Sequence, residues 1–145
     1  MKEHKELVRF LDAQNQVYLK ALAEARNGRK ETHWMWFVFP QLTGLGTSDA
    51  SKYYGIADLD EAAAYLAHPV LGKHLIEISE AVLAIQGKTA TDIFGTPDDL
   101  KLRSCMTLFA MVSGADPVFQ KVLDRYFNGL SDSCTLELHK AAAMS

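Results

Sequence analysis

Residues 69–87 read PVLGKHLIEISEAVLAIQG, and this stretch decides the fold. Leu71, Leu75, Ile78, Val82 and Ile85 recur at steps of three and four, which predicts an amphipathic helix over residues 69–86. Pro69 suits the first turn, where its missing N–H would have no partner, and Gly87 suits the stop. Upstream, Asp58 is placed to cap an alanine-rich helix over residues 59–67. Further back, residues 6–26 carry Leu7, Phe10, Leu11, Gln14, Val17, Tyr18, Ala21, Leu22 and Ala25 on one stripe, predicting a single helix closed by Asn27-Gly28. Downstream, Thr96-Pro97-Asp98-Asp99 reads as N-cap, proline at the first helical position, then two carboxylates facing the positive end of the dipole. Asp116-Pro117 repeats the device before Val118, Phe119, Val122, Leu123, Tyr126 and Phe127, with Asn128-Gly129 as the stop, and a short helix is expected over residues 135–142. No run alternates apolar and polar residues over strand length between hairpin signals. The expectation is an all-α fold, a compact single-domain bundle of six to eight short helices over residues 1–145.

Composition agrees and narrows the function. The 145 residues are 48% hydrophobic and 23% charged, as in ordinary globular domains. A net charge of -3 argues against nucleic-acid binding, which needs a concentrated basic face. The longest strongly apolar run, residues 34–39, falls far short of the ~20 residues a bilayer requires, so no membrane role is expected. The charged start Met1-Lys2-Glu3-His4-Lys5-Glu6 has no signal-peptide apolar region, and the cytoplasm is the expected location. Two cysteines make no disulfide framework, and Cys105, among Leu102, Met106 and Phe109, reads as a buried structural thiol. The sequence holds no metal-site or cofactor-binding motif, so neither a metal nor a cofactor is expected.

Two segments concentrate the residues that could do chemistry. The first runs from His33 through Trp34-Met35-Trp36-Phe37-Val38-Phe39-Pro40-Gln41 to the glycine loop Gly44-Leu45-Gly46-Thr47 and Ser48. The apolar part is expected to form one or two helical turns broken by Pro40, since a lone strand would leave its backbone unpaired. Trp34 and Trp36, two residues apart, cannot share a helical face, so one belongs in the core and one at a cleft rim. Trp34, beside His33, is taken as the rim residue. The glycine loop before a Ser48-capped helix would offer free N–H groups to an anion. The second segment is Asp98-Asp99-Leu100-Lys101-Leu102-Arg103-Ser104, where Asp98–Lys101 and Asp99–Arg103 are helical neighbours. A dense aromatic run is more often core, and a charged first turn is more often a solvated helix start.

These blocks carry a resemblance. Residues 28–42 with 44–48, then 61–72, then 93–109, closely resemble a bacterial family known as domain of unknown function 1810, over about residues 8–136. The resemblance implies an all-helical fold and leaves the activity open. The order of aromatic motif, helical middle and the Ile93-to-Asp98 turn is also similar to N-glycosidases acting on ADP-ribose-related and riboflavin-precursor substrates. That likeness implies a site of carboxylates and a tryptophan, with Asp98, Asp99 and Trp34 as counterparts.

The expected site therefore joins both segments. Asp98, Asp99 and His33 are the catalytic candidates, and Trp34, Gln41, Gly44, Gly46, Ser48, Lys101 and Ser104 the ligand-binding ones. The partner expected is a small anionic ligand, of nucleotide, ribose or sugar-phosphate type, with N-glycosidase-like hydrolysis as the finer reading and a monomer or weak homodimer as the assembly. The alternative is a non-catalytic protein-interaction module, which would expose a large apolar patch.

Overall fold

The computed structural model describes residues 7–46 and 48–143. The charged residues 1–6, the expected helix start at residue 6 and Thr47 of the glycine loop lie outside the described residues. Among the described residues the chain is all-α, with ten helices: α1 (Val8–Asn15), α2 (Tyr18–Arg26), α3 (Met35–Val38), α4 (Asp49–Tyr53), α5 (Leu59–Ala67), α6 (Leu71–Ala84), α7 (Ala90–Phe94), α8 (Asp98–Ala110), α9 (Val118–Phe127) and α10 (Ser133–Ala143). None of these helices is long and apolar enough to cross a membrane.

The core lies where α6, α8 and α9 meet, closed by α2, α5, α7 and α10. Leu71, Leu75, Ile78 and Val82 of α6, Leu102, Cys105, Met106, Leu108 and Phe109 of α8, and Phe119, Val122 and Leu123 of α9 are fully buried. Trp34, Met35, Val38 and Phe39 join the same cluster, as the density of apolar side chains there requires. The helix-stop signals work as expected. Gly28 sits at φ 72 after α2, and Asn128 at φ 55 and Gly129 at φ 74 close α9. Ser48 and Asp58 cap α4 and α5 by accepting from Ser51 N–H and Glu61 N–H. Gly72 is required by contact: a Cβ there would stand 2.0 Å from the Leu66 carbonyl oxygen where α5 turns into α6.

Three local expectations change. The single helix over residues 6–26 breaks at Gln16–Val17, giving α1 and α2. The Gln14 side chain turns inward at the break, donating to the Phe37 carbonyl at 2.6 Å and the Tyr65 hydroxyl at 2.9 Å. The helix expected from Pro69 begins at Leu71, because His68 Nδ1 takes the N–H groups of Val70 and Leu71. At α8 the Thr96–Pro97 peptide is cis and Pro97 occupies the cap position, so Thr96 does not cap; its hydroxyl goes to the Asp99 carboxylate at 3.3 Å.

Candidate functional site

The aromatic segment is positioned by one buried carboxylate. Glu24, near the end of α2, accepts from Glu31 N–H at 2.8 Å, from Thr32 N–H at 3.0 Å and hydroxyl at 2.8 Å, and from the Trp34 indole at 2.9 Å. Burial pushes the Glu24 carboxyl up, but these hydrogen bonds together outweigh it and hold the pKa at about 2. Lys30 N–H donates to the Ile93 carbonyl at 2.7 Å and ties the segment to α7. Trp34, tethered by its polar edge, goes into the core against Phe39 and Phe94. It is 1% exposed and cannot offer a ring face to a ligand. The expected division of one core and one rim tryptophan holds with the roles exchanged: the half-buried ring is Trp36.

Two lysines and one aspartate join this segment to α8. The Asp98 carboxylate takes Lys30 Nζ at 2.8 Å on one oxygen and Lys101 Nζ at 3.1 Å on the other. Burial raises the Asp98 pKa while the two ammonium groups lower it, and the net direction is down. Lys101 Nζ also lies over the Trp36 ring, 3.8 Å from its centroid. Two cations against one carboxylate leave the cluster with a positive excess.

Beside this cluster opens a cleft of about 290 Å³ lined by Trp36, Gln41, Leu45, Gly46, Pro97, Leu100, Lys101, Ser104, Asp132 and Cys134. Gln41 is held by its backbone, which accepts from Ile56 N–H at 2.9 Å beside the isolated Leu42–Ile56 bridge. The residue is only 8% exposed. The amide makes no hydrogen bond to another described residue, yet no side-chain polar atom is buried without a partner, so the amide is open to the cleft. Asp132 reaches the cleft from the start of α10. One oxygen is occupied by the Ser104 hydroxyl at 3.2 Å and by Thr135 N–H and hydroxyl at 2.9 and 2.6 Å. The other oxygen has no partner among the described residues and is accessible by the same reasoning.

Of the expected site residues, Gln41, Gly46, Lys101 and Ser104 line this cleft together, with Asp98 one ion pair behind Lys101. The others do different work. Asp99 is 8% exposed and accepts from the Thr91 hydroxyl at 2.6 Å, so it fastens α7 to α8. The expected Asp99–Arg103 pair does not form, because Arg103 donates to the Leu130 and Ser131 carbonyls. His33 is exposed and outside the cleft lining. Gly44, at φ 98, faces Leu138, and Ser48 is occupied as the cap of a five-residue helix; neither is part of the cleft lining. Trp36, Leu45, Pro97, Leu100, Asp132 and Cys134 also line the cleft and were not among the expected site residues. Asp132 could have been found as the N-cap of α10, three residues before Thr135; its place in the cleft follows from α10 packing on α8.

The described residues form an all-helical protein with a small polar cleft between an aromatic segment and the N-terminal half of a core helix. The chain belongs to the family described as protein of unknown function DUF1810, which it matches over residues 4–139. Its fold is similar to that of the conserved hypothetical protein Rv1873 from Mycobacterium tuberculosis, at 49% sequence identity and a TM-score of 0.91, covering 93% of this chain and 96% of that one. No curated protein matches it.

Proposed function

We propose that this protein binds a phosphorylated sugar, as a ribose phosphate or a small nucleotide, in the cleft between α3 and α8. The observation that carries this reading is the Gln41 amide, almost buried and without a partner among the described residues, opening on a cleft that also holds an ammonium and a carboxylate oxygen. Lys101, steadied by Asp98 and Trp36, suits a phosphate. The free Asp132 oxygen suits sugar hydroxyls, which need acceptors, and Gln41 can both donate and accept. A cleft of about 290 Å³ is at the small end for ligand sites, which favours one sugar-phosphate unit over a dinucleotide. The carboxylate available to polarise a water is Asp132, so glycosidic hydrolysis, the finer reading, would depend on Asp132 rather than Asp99.

The test is a thermal-shift screen against ribose 5-phosphate, AMP, ADP-ribose and inorganic phosphate. A ligand at 100 times its Kd stabilises by ~2.7 kcal/mol, a shift of several degrees. A rise with ribose 5-phosphate supports the reading, and no rise with ribose 5-phosphate, or an equal rise with inorganic phosphate, overturns it. If AMP or ADP-ribose is cleaved on incubation, Asp132→Asn should abolish the cleavage while Asp99→Asn destabilises the fold.

A further inference from the structure

A second polar pocket lies away from this cleft, between α1, α2 and the start of α6. It measures about 470 Å³, and its lining includes Leu11, Asp12, Gln14, Leu19, Val70 and His74. Its centre is a histidine fixed on two sides. The Tyr18 ring stacks on the His74 ring, 3.6 Å between centroids and 7° from parallel. Tyr18 is itself held by its hydroxyl, which donates to Glu77 Oε1 at 2.6 Å. At the ring edge, His74 Nδ1 lies 2.8 Å from Gln14 Oε1.

The tautomer follows from the partners. The Phe37 carbonyl can only accept, so the Gln14 atom facing it at 2.6 Å is the NH2 group. The opposite atom, Oε1, must then accept, and His74 Nδ1 carries the proton. His74 Nε2 keeps its lone pair. It has no partner among the described residues and is not a buried unsatisfied atom, so it is accessible, and the pocket is the space His74 lines. Buried orienting partners and an unused acceptor are what a binding site requires and a core does not.

We propose that this pocket is a second ligand site that takes a primary amine with a short apolar body. The ammonium donates to His74 Nε2 and faces Asp12, and the hydrocarbon lies on Leu11, Leu19 and Val70. Charge complementarity selects the amine: with the imidazole neutral, the Asp12 carboxylate is the only formal charge among the lining residues. The walls select the body. Leu19 is 80% exposed and Val70 42% exposed, and an alkyl chain would cover both. Burial also draws the imidazole pKa down, favouring the neutral acceptor form. The charged and titratable groups around the ring are Asp12 from α1, Tyr18 from α2, and Lys73 and Glu77 from α6 itself.

The test uses the full chain, labelled with 15N, and reads the His74 imidazole nitrogens by NMR during titration with n-butylammonium chloride. A ligand so small is expected to bind at about millimolar Kd. The expected result is a saturable shift of Nε2 and none with sodium butyrate, which has the same body and the opposite charge. Binding in the variants, followed by the backbone amide shifts of Leu19 and Val70 in the same pocket, should weaken at least about tenfold in His74→Phe, which keeps the stack and removes the acceptor, and about threefold in Asp12→Asn. It should also be lost as pH falls and the ring becomes cationic. If His74→Phe fails to fold, the exposed Asp12→Asn variant and the butyrate comparison decide. No saturable shift with n-butylammonium, equal binding of butyrate, or binding unchanged in the folded variants overturns the proposal.

Discussion

The Trp34 indole N–H donates to Glu24 Oε1 across 2.9 Å inside the core, and this bond decides which tryptophan is structural and which borders the cleft. Trp36, two residues on, turns outward and receives Lys101 Nζ over its ring. Trp34→Ala should therefore cost about 3–5 kcal/mol, combining a large cavity with a buried carboxylate that loses a donor. Trp36→Ala should cost less than about 1.5 kcal/mol, because that ring is half-buried and its contact with Lys101 is shared with solvent. Urea denaturation of both variants measures the difference. Equal large losses would place both rings in the core.

Glu24 should set part of the acid stability. Its folded pKa is depressed to about 2 from the ordinary glutamate value of 4.5, so its contribution is fully present above about 4.5. That contribution is lost as pH falls through the folded value near 2. Glu24→Gln should lower stability at pH 7 by about 2 kcal/mol after solvent screening, and the gap from wild type should close between about pH 4.5 and 2. Chemical denaturation across that range reads it. A gap independent of pH would mean that Glu24 acts by shape alone.

The thiols should separate cleanly. Cys105 is fully buried in α8, and burial pushes its thiol pKa well up, whereas Cys134 is exposed at the cleft. A bulky disulfide reagent should label Cys134 rapidly in the native protein and Cys105 only on unfolding. Occupation of the cleft should slow labelling of Cys134. Fast labelling of Cys105 would contradict the packing of α8.

Asp98 is tied to the fold as well as to the cleft. The Lys30 side chain is 7% exposed, so Asp98→Ala leaves an almost buried ammonium with one partner fewer. A loss of about 2–3 kcal/mol is expected, and Lys30→Met in the same chain should recover part of it. A double-mutant cycle with no coupling between the two positions would remove the ion pair from the account.

Much of the fold was legible because local chemistry specifies it. The faces of α6 and α9 follow from period, and the caps of α4 and α5 follow from Ser48 and Asp58. What was not legible depends on partners distant in sequence. The helix over residues 6–26 divides because Gln14 is drawn to Phe37, Tyr65 and His74. His74 has no neighbour in sequence to mark it, since its orienting groups come from α1 and α2. Of the two tryptophans, adjacency to His33 pointed to Trp34 as the rim residue, whereas the buried acceptor ten residues upstream selects it for the core. The juxtaposition of the aromatic segment with the start of α8 was legible, because the apolar body of α8 had to be buried and the aromatic segment is the densest apolar stretch of the sequence; the Asp132 and Cys134 wall was not.

Calorimetric titration of ribose 5-phosphate into the wild-type protein and into Lys101→Met, with both folds checked by thermal melting, decides whether the cleft is a phosphorylated-sugar site. A charge-assisted hydrogen bond to phosphate contributes about 1.5–3 kcal/mol, so saturable binding is expected in the wild type and binding weaker by about tenfold or more in the variant. Absence of binding to the wild type, or equal affinity of the two proteins, would contradict this assignment.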